Sequence, residues 1–236
     1  MDRARRQVLK ASLAAGLAAS APAFAAERFE RMTAHTRSGR ILGLRNGELL
    51  VFRGIPYGTD TAPRRFQPAL QETPWRGVRD ALGYAASAPQ NGEEGPGSED
   101  CLFLNVWTPG LRDGARRPIL FYIHGGGYNN GSGSSPLYDG GNLCRRGDVV
   151  VVTVNHRLNA FGYLFLAELA GPELAYSGNV GQLDLVQALQ WVQQHAHEFG
   201  GDAGNVTVFG QSGGGAKIAT LMAMPAAKGL FHRAMT

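Results

Sequence analysis

Hydrophobic residues fall along this chain in two textures. Between residues 28 and 57 apolar and polar positions alternate, which predicts two or three short antiparallel strands. Residues 41–44 and 49–52 flank Asn46-Gly47, a pair suited to a tight hairpin turn. From Gly58 to Asp100 the chain is rich in Pro, Gly, Ala and Gln and predicts a long, loop-dominated excursion. The second texture follows. Residues 102–107, 118–123, 149–154 and 205–209 are near-continuous apolar runs of strand length, several of them β-branched. Such runs suit strands covered on both faces.

Helical spacing lies between the later runs. Residues 180–199 place Leu183, Val186, Leu189, Val192 and Ala196 on one stripe, and Gly200-Gly201 supplies a C-terminal stop. Residues 213–224 predict a shorter helix rich in Ala, Leu and Met. Strands alternating with helices predict an α/β fold with a mostly parallel central sheet flanked by helices.

Residues 1–25 are read as an export signal and residues 26–236 as the folded part. Arg3, Arg5, Arg6 and Lys10 precede a weakly apolar stretch, and Ala23-Phe24-Ala25 offers a small-x-small cleavage site. Arg5-Arg6 resembles a twin-arginine signal, which implies a periplasmic or secreted protein; a general secretory leader is the alternative. With Asp2 the leader carries +3 of the formal +4, so no basic surface remains to suggest nucleic acid. No apolar run has the length of a membrane span. Cys101 and Cys144 are the only cysteines, and their pairing is left open.

Gly210-Gln211-Ser212-Gly213-Gly214 fits G-x-S-x-G between a predicted strand and a predicted helix. A tight turn there lifts the Ser212 hydroxyl to a helix N-terminus, whose dipole favours developing negative charge. The second motif, His124-Gly125-Gly126-Gly127-Tyr128, follows another apolar strand. Glycines let backbone N–H groups approach an oxyanion closely, and a loop of this type accompanies the serine turn in ester hydrolases. A phosphate-binding loop is excluded, because Gly215-Ala216-Lys217-Ile218 lacks the G-K-[ST] core. His195 and His197 are two apart on the predicted helix and make a poor metal pair. No motif asks for a cofactor.

With these motifs in order, the chain resembles the type-B carboxylesterases, the cholinesterase-like α/β-hydrolases. Further matching segments are Phe52-Arg53-Gly54-Ile55-Pro56-Tyr57, Ser98-Glu99-Asp100-Cys101-Leu102-Phe103-Leu104-Asn105-Val106-Trp107, Val154-Asn155-His156-Arg157-Leu158 and Gly178-Asn179-Val180-Gly181. The resemblance implies an α/β-hydrolase fold and cleavage of small-molecule carboxylic esters through a serine acyl-enzyme. Ser212 would be the nucleophile, the N–H groups of Gly126, Gly127 and Gly213 the oxyanion donors, and Tyr128 a substrate-contacting residue. It also implies an Arg65–Glu99 ion pair near the site. Gln211, His156 and Asn159 depart from the family's usual Glu, Tyr and Gly, and residues 58–100 lack the cysteine that closes a family disulfide.

Triads of this fold run Ser, acid, His along the chain. After Ser212 there is no Asp or Glu, and His232 is the one later histidine. The expectation is therefore the N-terminal part of an esterase, truncated after the nucleophile turn, with acid and base beyond Thr236. Strand 205–209 would leave one edge to be covered by later strands. An inactive cholinesterase-like binding domain, or a fragment without function, is the alternative.

Overall fold

The computed structural model describes residues 30–92 and 97–236. The export-signal reading lies outside these residues. Among these residues nine strands form one sheet: β1 Arg31–His35, β2 Arg40–Asn46, β3 Leu49–Pro56, β4 Val78–Asp80, β5 Phe103–Thr108, β6 Arg117–Ile123, β7 Val150–Val154, β8 Gly201–Gly210 and β9 Arg233–Met235. The order is β1-β2-β3-β5-β7-β6-β8-β9, with β4 pairing β2. Along that order pairing is antiparallel through β1-β2-β3-β5-β7 and parallel across β7-β6-β8-β9, and β4 runs parallel to β2. The predicted parallel sheet is thus the half that carries the glycine motifs, and the alternating N-terminal strands form its antiparallel flank.

Five α-helices accompany it among the described residues: α1 Gly141–Gly147, α2 Asn159–Tyr163, α3 Ala167–Ala170, α4 Val180–His195 and α5 Gly213–Ala223. Alternate residues of each strand point to opposite faces. On one face Phe52, Leu104, Val106, Phe121, Val152, Val206 and Val208 form a single core with Leu185 and Leu189 of α4 and Ile218 of α5. On the other, Leu49, Val51, Trp107 and Val151 pack around Cys144 of α1. Each fully buried Val, Leu or Phe contributes about 1.5–3 kcal/mol, so the larger cluster dominates stability. Cys101 belongs to the first face and Cys144 to the second, both as free buried thiols. The sheet between them settles the open question: they do not pair.

Several expectations shift. The hairpin turn is Gly47-Glu48, with Gly47 at φ +60° and Asn46 still paired to Leu49. Helix α4 is buried on more than the predicted stripe. Leu183 is only partly covered, whereas Gln182 and Asp184 are buried. The reason is a polar core contact: Asp184 accepts from Arg157 Nε at 2.8 Å, Nη2 at 2.6 Å and its backbone N–H at 3.0 Å. Helix α4 ends at His195, and His197 lies in the 3-10 turn Ala196–Phe199. Finally, the far edge of β8 is not bare, because Thr207, Val208 and Phe209 pair with β9. Among the described residues β9 is the last strand of the sheet, and all three of its residues are exposed.

Candidate active site

Ser212 stands between the last residue of β8 region and α5, at φ +55°, ψ −120°. A non-glycine residue in this region stores about 1–3 kcal/mol of strain and persists only when its surroundings hold it. Here the surroundings are glycines. A Cβ on Gly210 would lie 2.6 Å from the Ile123 carbonyl oxygen, and one on Gly214 only 2.1 Å from it. The turn is pinned by Gly214 N–H donating to Gln211 O at 2.9 Å. Three glycines open α5, each costing about 1 kcal/mol of helix stability relative to Ala. That cost is accepted at Gly214 because no side chain fits against the end of β6, and at Gly213 because none fits against Gly127.

The loop after β6 meets this turn. Gly126 and Gly127 have φ +84° and +60°, successive left-handed residues that glycine alone adopts without strain. A Cβ on Gly213 would sit 2.4 Å from Gly127 O and 2.6 Å from Gly127 N, so the two backbones are in direct contact. Gly125 faces the Gln211 side chain. Among the described residues no acceptor takes up the N–H of Gly126, Gly127 or Gly213. Ser212 is exposed, at the N-terminus of an eleven-residue helix. A cleft of about 380 Å³ opens over Gly125 and Gly126, walled by Gln90, Asn91, Asn130 and Tyr138. An exposed serine hydroxyl, backbone N–H groups without an acceptor and a helix N-terminus thus stand at neighbouring positions, and the cleft borders the glycine loop at Gly125 and Gly126.

Tyr128 is half-exposed, packs edge-on against Tyr163 with ring centroids 4.8 Å apart, and its carbonyl accepts from Asn159 N–H at 2.6 Å. Asn159 has φ +46°, a conformation that glycine or asparagine tolerates, and its Nδ2 donates to Pro89 O at 2.6 Å. The substitution of Gly by Asn at this position is therefore a conservative one in backbone terms. Arg65 and Glu99 form the expected ion pair, Arg65 Nε lying 2.9 and 2.7 Å from the two carboxylate oxygens.

The histidines separate clearly. His124 and His156 are fully buried and stacked, centroids 4.8 Å apart. Each Nδ1–H donates to a neighbouring carbonyl, Gly125 O at 2.8 Å and Arg157 O at 2.9 Å. Burial, reinforced by the nearby Lys217 charge, lowers the His124 pKa to about 4; burial, then His124 and Lys217, holds His156 well below the usual histidine value. Both are neutral bracing groups. His195 is braced likewise, accepting Arg37 N–H at 3.0 Å on Nε2 and donating from Nδ1 to Trp191 O at 2.8 Å. His232 accepts Val206 N–H on Nδ1 at 3.2 Å. Gly210 is four strand residues beyond Val206, so His232 is about 13 Å or more from the turn. It does not join Ser212.

Sequence reasoning missed Lys217. It is fully buried, one helical turn after Gly213, and its Nζ donates to Gly127 O at 2.6 Å. Its sequence signal was a lone cation in the apolar helix 213–224. Among the described residues no group of three or more His, Cys, Asp or Glu could hold a metal ion, and no helix is long and apolar enough to cross a membrane.

A family model described as "Carboxylesterase family" matches residues 30–236. Para-nitrobenzyl esterase of Bacillus subtilis is 43% identical over 209 residues, covering 85% of this chain and 42% of that protein. Phenmedipham hydrolase of Pseudarthrobacter oxydans is 43% identical over 217 residues, with 87% and 42% covered. The crystal structure of a Geobacillus stearothermophilus carboxylesterase superposes with TM-score 0.83 at 46% identity, over 87% of this chain and 43% of that one. The chain thus spans under half the length of the relatives it matches. The match runs through the β8–α5 turn, the β6 loop and the sheet that holds them, and this chain belongs to the carboxylesterase family.

Proposed function

We propose that the protein carrying this chain hydrolyses small-molecule carboxylic esters through an acyl-enzyme on Ser212. The observation that carries the reading is the strained Ser212 backbone at the head of α5, with Gly213 in contact with Gly127. In this reading Ser212 Oγ attacks the acyl carbon and a C–O bond forms. The carbonyl electron pair moves onto oxygen, where the N–H groups of Gly126, Gly127 and Gly213 receive it. Collapse expels the alcohol, which takes up a proton, and water then repeats the sequence on the acyl-enzyme. The required proton carrier is a histidine oriented by an acid. No acid follows Ser212 here, and His232 lies down the sheet. The reading therefore assigns both partners to the additional length that the relatives possess. Tyr128, at the end of the glycine loop, is assigned to the substrate. Neither a cofactor nor a metal takes part. The Arg5-Arg6 leader supports delivery to the periplasm or outside the cell.

The test is a fluorophosphonate probe with mass spectrometry on the full-length protein. Label on Ser212, and loss of esterase activity in Ser212→Ala, are expected. Label elsewhere, or retained activity, would refute the assignment.

A further inference from the structure

Lysine is among the residues least often fully buried, and Lys217 sits in an otherwise apolar stretch of α5 with no exposed surface. Its ammonium is aimed at one object. Nζ donates to Gly127 O at 2.6 Å, reaches His124 O at a longer 3.4 Å, and lies 5.3 Å from the centroid of the Tyr128 ring. These three acceptors belong to the first, fourth and fifth residues of a single five-residue loop. Two of those five, Gly126 and Gly127, are left-handed glycines with no side chain to hold them in place.

The spacing on α5 makes the contact two-sided. Gly213 and Lys217 are four residues apart and share one helix face. Gly213 touches Gly127 by backbone contact, and Lys217 grips the Gly127 carbonyl one turn further along. Helix α5 thus fixes both the seat and the orientation of Gly127. Its own position is set from behind, where Gln182 of α4 donates to Lys217 O at 3.0 Å. The surrounding ring nitrogens do not take the ammonium: His124 and His156 direct Nδ1 to backbone carbonyls, and both Nε2 atoms are buried without a hydrogen-bond partner among the described residues.

We propose that Lys217 is a positioning residue for the reaction: its ammonium locks the His124–Tyr128 loop onto the nucleophile helix, so that the loop's N–H donors are held where the oxyanion forms. The inference rests on the proposed esterase reading and deepens it. A lysine that merely filled space would be replaceable by an apolar side chain of similar length. A lysine that sets donor geometry is not, because a displacement of about 1 Å at such a site costs on the order of 100-fold in rate. Burial lowers the Lys217 pKa to about 8, so the ammonium form still predominates at neutral pH.

The experiment uses the full-length protein with Lys217→Met and Lys217→Gln, and p-nitrophenyl acetate as substrate. Active sites are counted by fluorophosphonate labelling of Ser212, and rates are expressed per labelled site. That count separates the two hypotheses: absent labelling of Ser212 in the parent protein sinks the esterase reading, whereas the rate per labelled site concerns Lys217 alone. Lys217→Met is expected to lower kcat about 10- to 100-fold with KM within about twofold. Lys217→Gln, whose amide still donates, is expected to fall between Met and the parent. Parental kcat in the Met variant, or a change confined to KM, would overturn the proposal. If the Met variant does not fold, Lys217→Gln decides: a several-fold kcat loss at unchanged KM supports the proposal, and parental kcat overturns it.

Discussion

Replacing Gly126 by Ala in the full-length protein tests the glycine loop most sharply. The backbone at Gly126 has φ +84°, where an added Cβ costs roughly 1–2 kcal/mol. Space is the larger problem. The new methyl would stand 2.2 Å from Asn130 Oδ1 and 2.3 Å from Asn130 O. The side-chain oxygen can rotate away. The carbonyl cannot, because Asn130 N–H and Asn129 N–H are both tied to Gly126 O at 3.2 Å, closing the loop on itself. Restoring ordinary contact needs a shift of about 1 Å, twice the tolerance of about 0.5 Å within which a catalytic constellation works. If Gly126 donates to the oxyanion as proposed, the expected result is loss of that donor: kcat down by about 100- to 1,000-fold, or about 2.7–4 kcal/mol of barrier, with KM little changed. Gly47→Ala is the control. It carries a similar strain at φ +60°, with no atom within 4 Å of the added Cβ, at the hairpin turn between β2 and β3. It should lower stability by about 1 kcal/mol and leave kcat intact. Ester turnover, Ser212 labelling and thermal unfolding of both variants make the assay. A Gly126→Ala protein with parental kcat, or equal kcat losses in the two variants, would refute the reasoning.

Asp184→Ala strands the Arg157 guanidinium in the core and should cost about 3–5 kcal/mol, read as a lowered denaturant midpoint. Acid should destabilise the fold through His124. Its folded pKa of about 4 lies below the unfolded value near 6.5, so between those limits the unfolded chain binds the extra proton. The His124 contribution is therefore full above pH 6.5 and falls by about 3 kcal/mol toward pH 4; His124→Asn should reduce the slope of pH-dependent unfolding, His156 supplying what remains. Cys101 and Cys144 should resist thiol reagents until the protein unfolds, because burial raises both thiol pKa values and the sheet separates them. Labelling of the native protein would contradict this.

What could be read from sequence follows from what each signal depends on. The runs at 118–123, 149–154 and 205–209 became β6, β7 and β8 within a residue or two, apart from an early start to β8. Continuous β-branched sequence has few other uses. The Ser212 turn was legible because its backbone tolerates only small neighbours, and that requirement is written in residue identity. The short helices α1, α2 and α3 were not, since four to seven residues carry too little periodicity. Burial of Asp184 was hidden for another reason. Its partner Arg157 is 27 residues away, and the pair is brought together by the seating of α4 on the sheet. Lys217 combines both difficulties: its acceptors are 90 and 93 residues upstream, and its charge in an apolar helix reads as a solvent-facing residue. The expected bare edge of β8 failed because the three residues of β9 have no strand pattern of their own.

Topology supplies an argument for the site that uses neither motif. The connection β6–α1–β7 places β7 on one side of β6, and β7–α4–β8 returns to the other side. The helices obey the same reversal, α1 packing with Cys144 on one face and α4 on the opposite one. Right-handed crossovers in opposite directions must place their helices on opposite faces. At their C-terminal ends the chain leaving β6 goes through α1 to β7 and the chain leaving β8 goes through α5 to β9, so the two diverge to opposite sides and opposite faces; open α/β sheets bind ligands in the crevice at such a point. Residues 124–128 leave β6 at that edge, and residues 211–213 leave β8 beside them. Ile123 pairs with Gly210 in the last rung of the ladder, so the two segments start one strand spacing apart, about 4.8 Å. At that distance a side chain larger than hydrogen on the inner residues would fill the crevice, which is why glycine recurs on both of its walls.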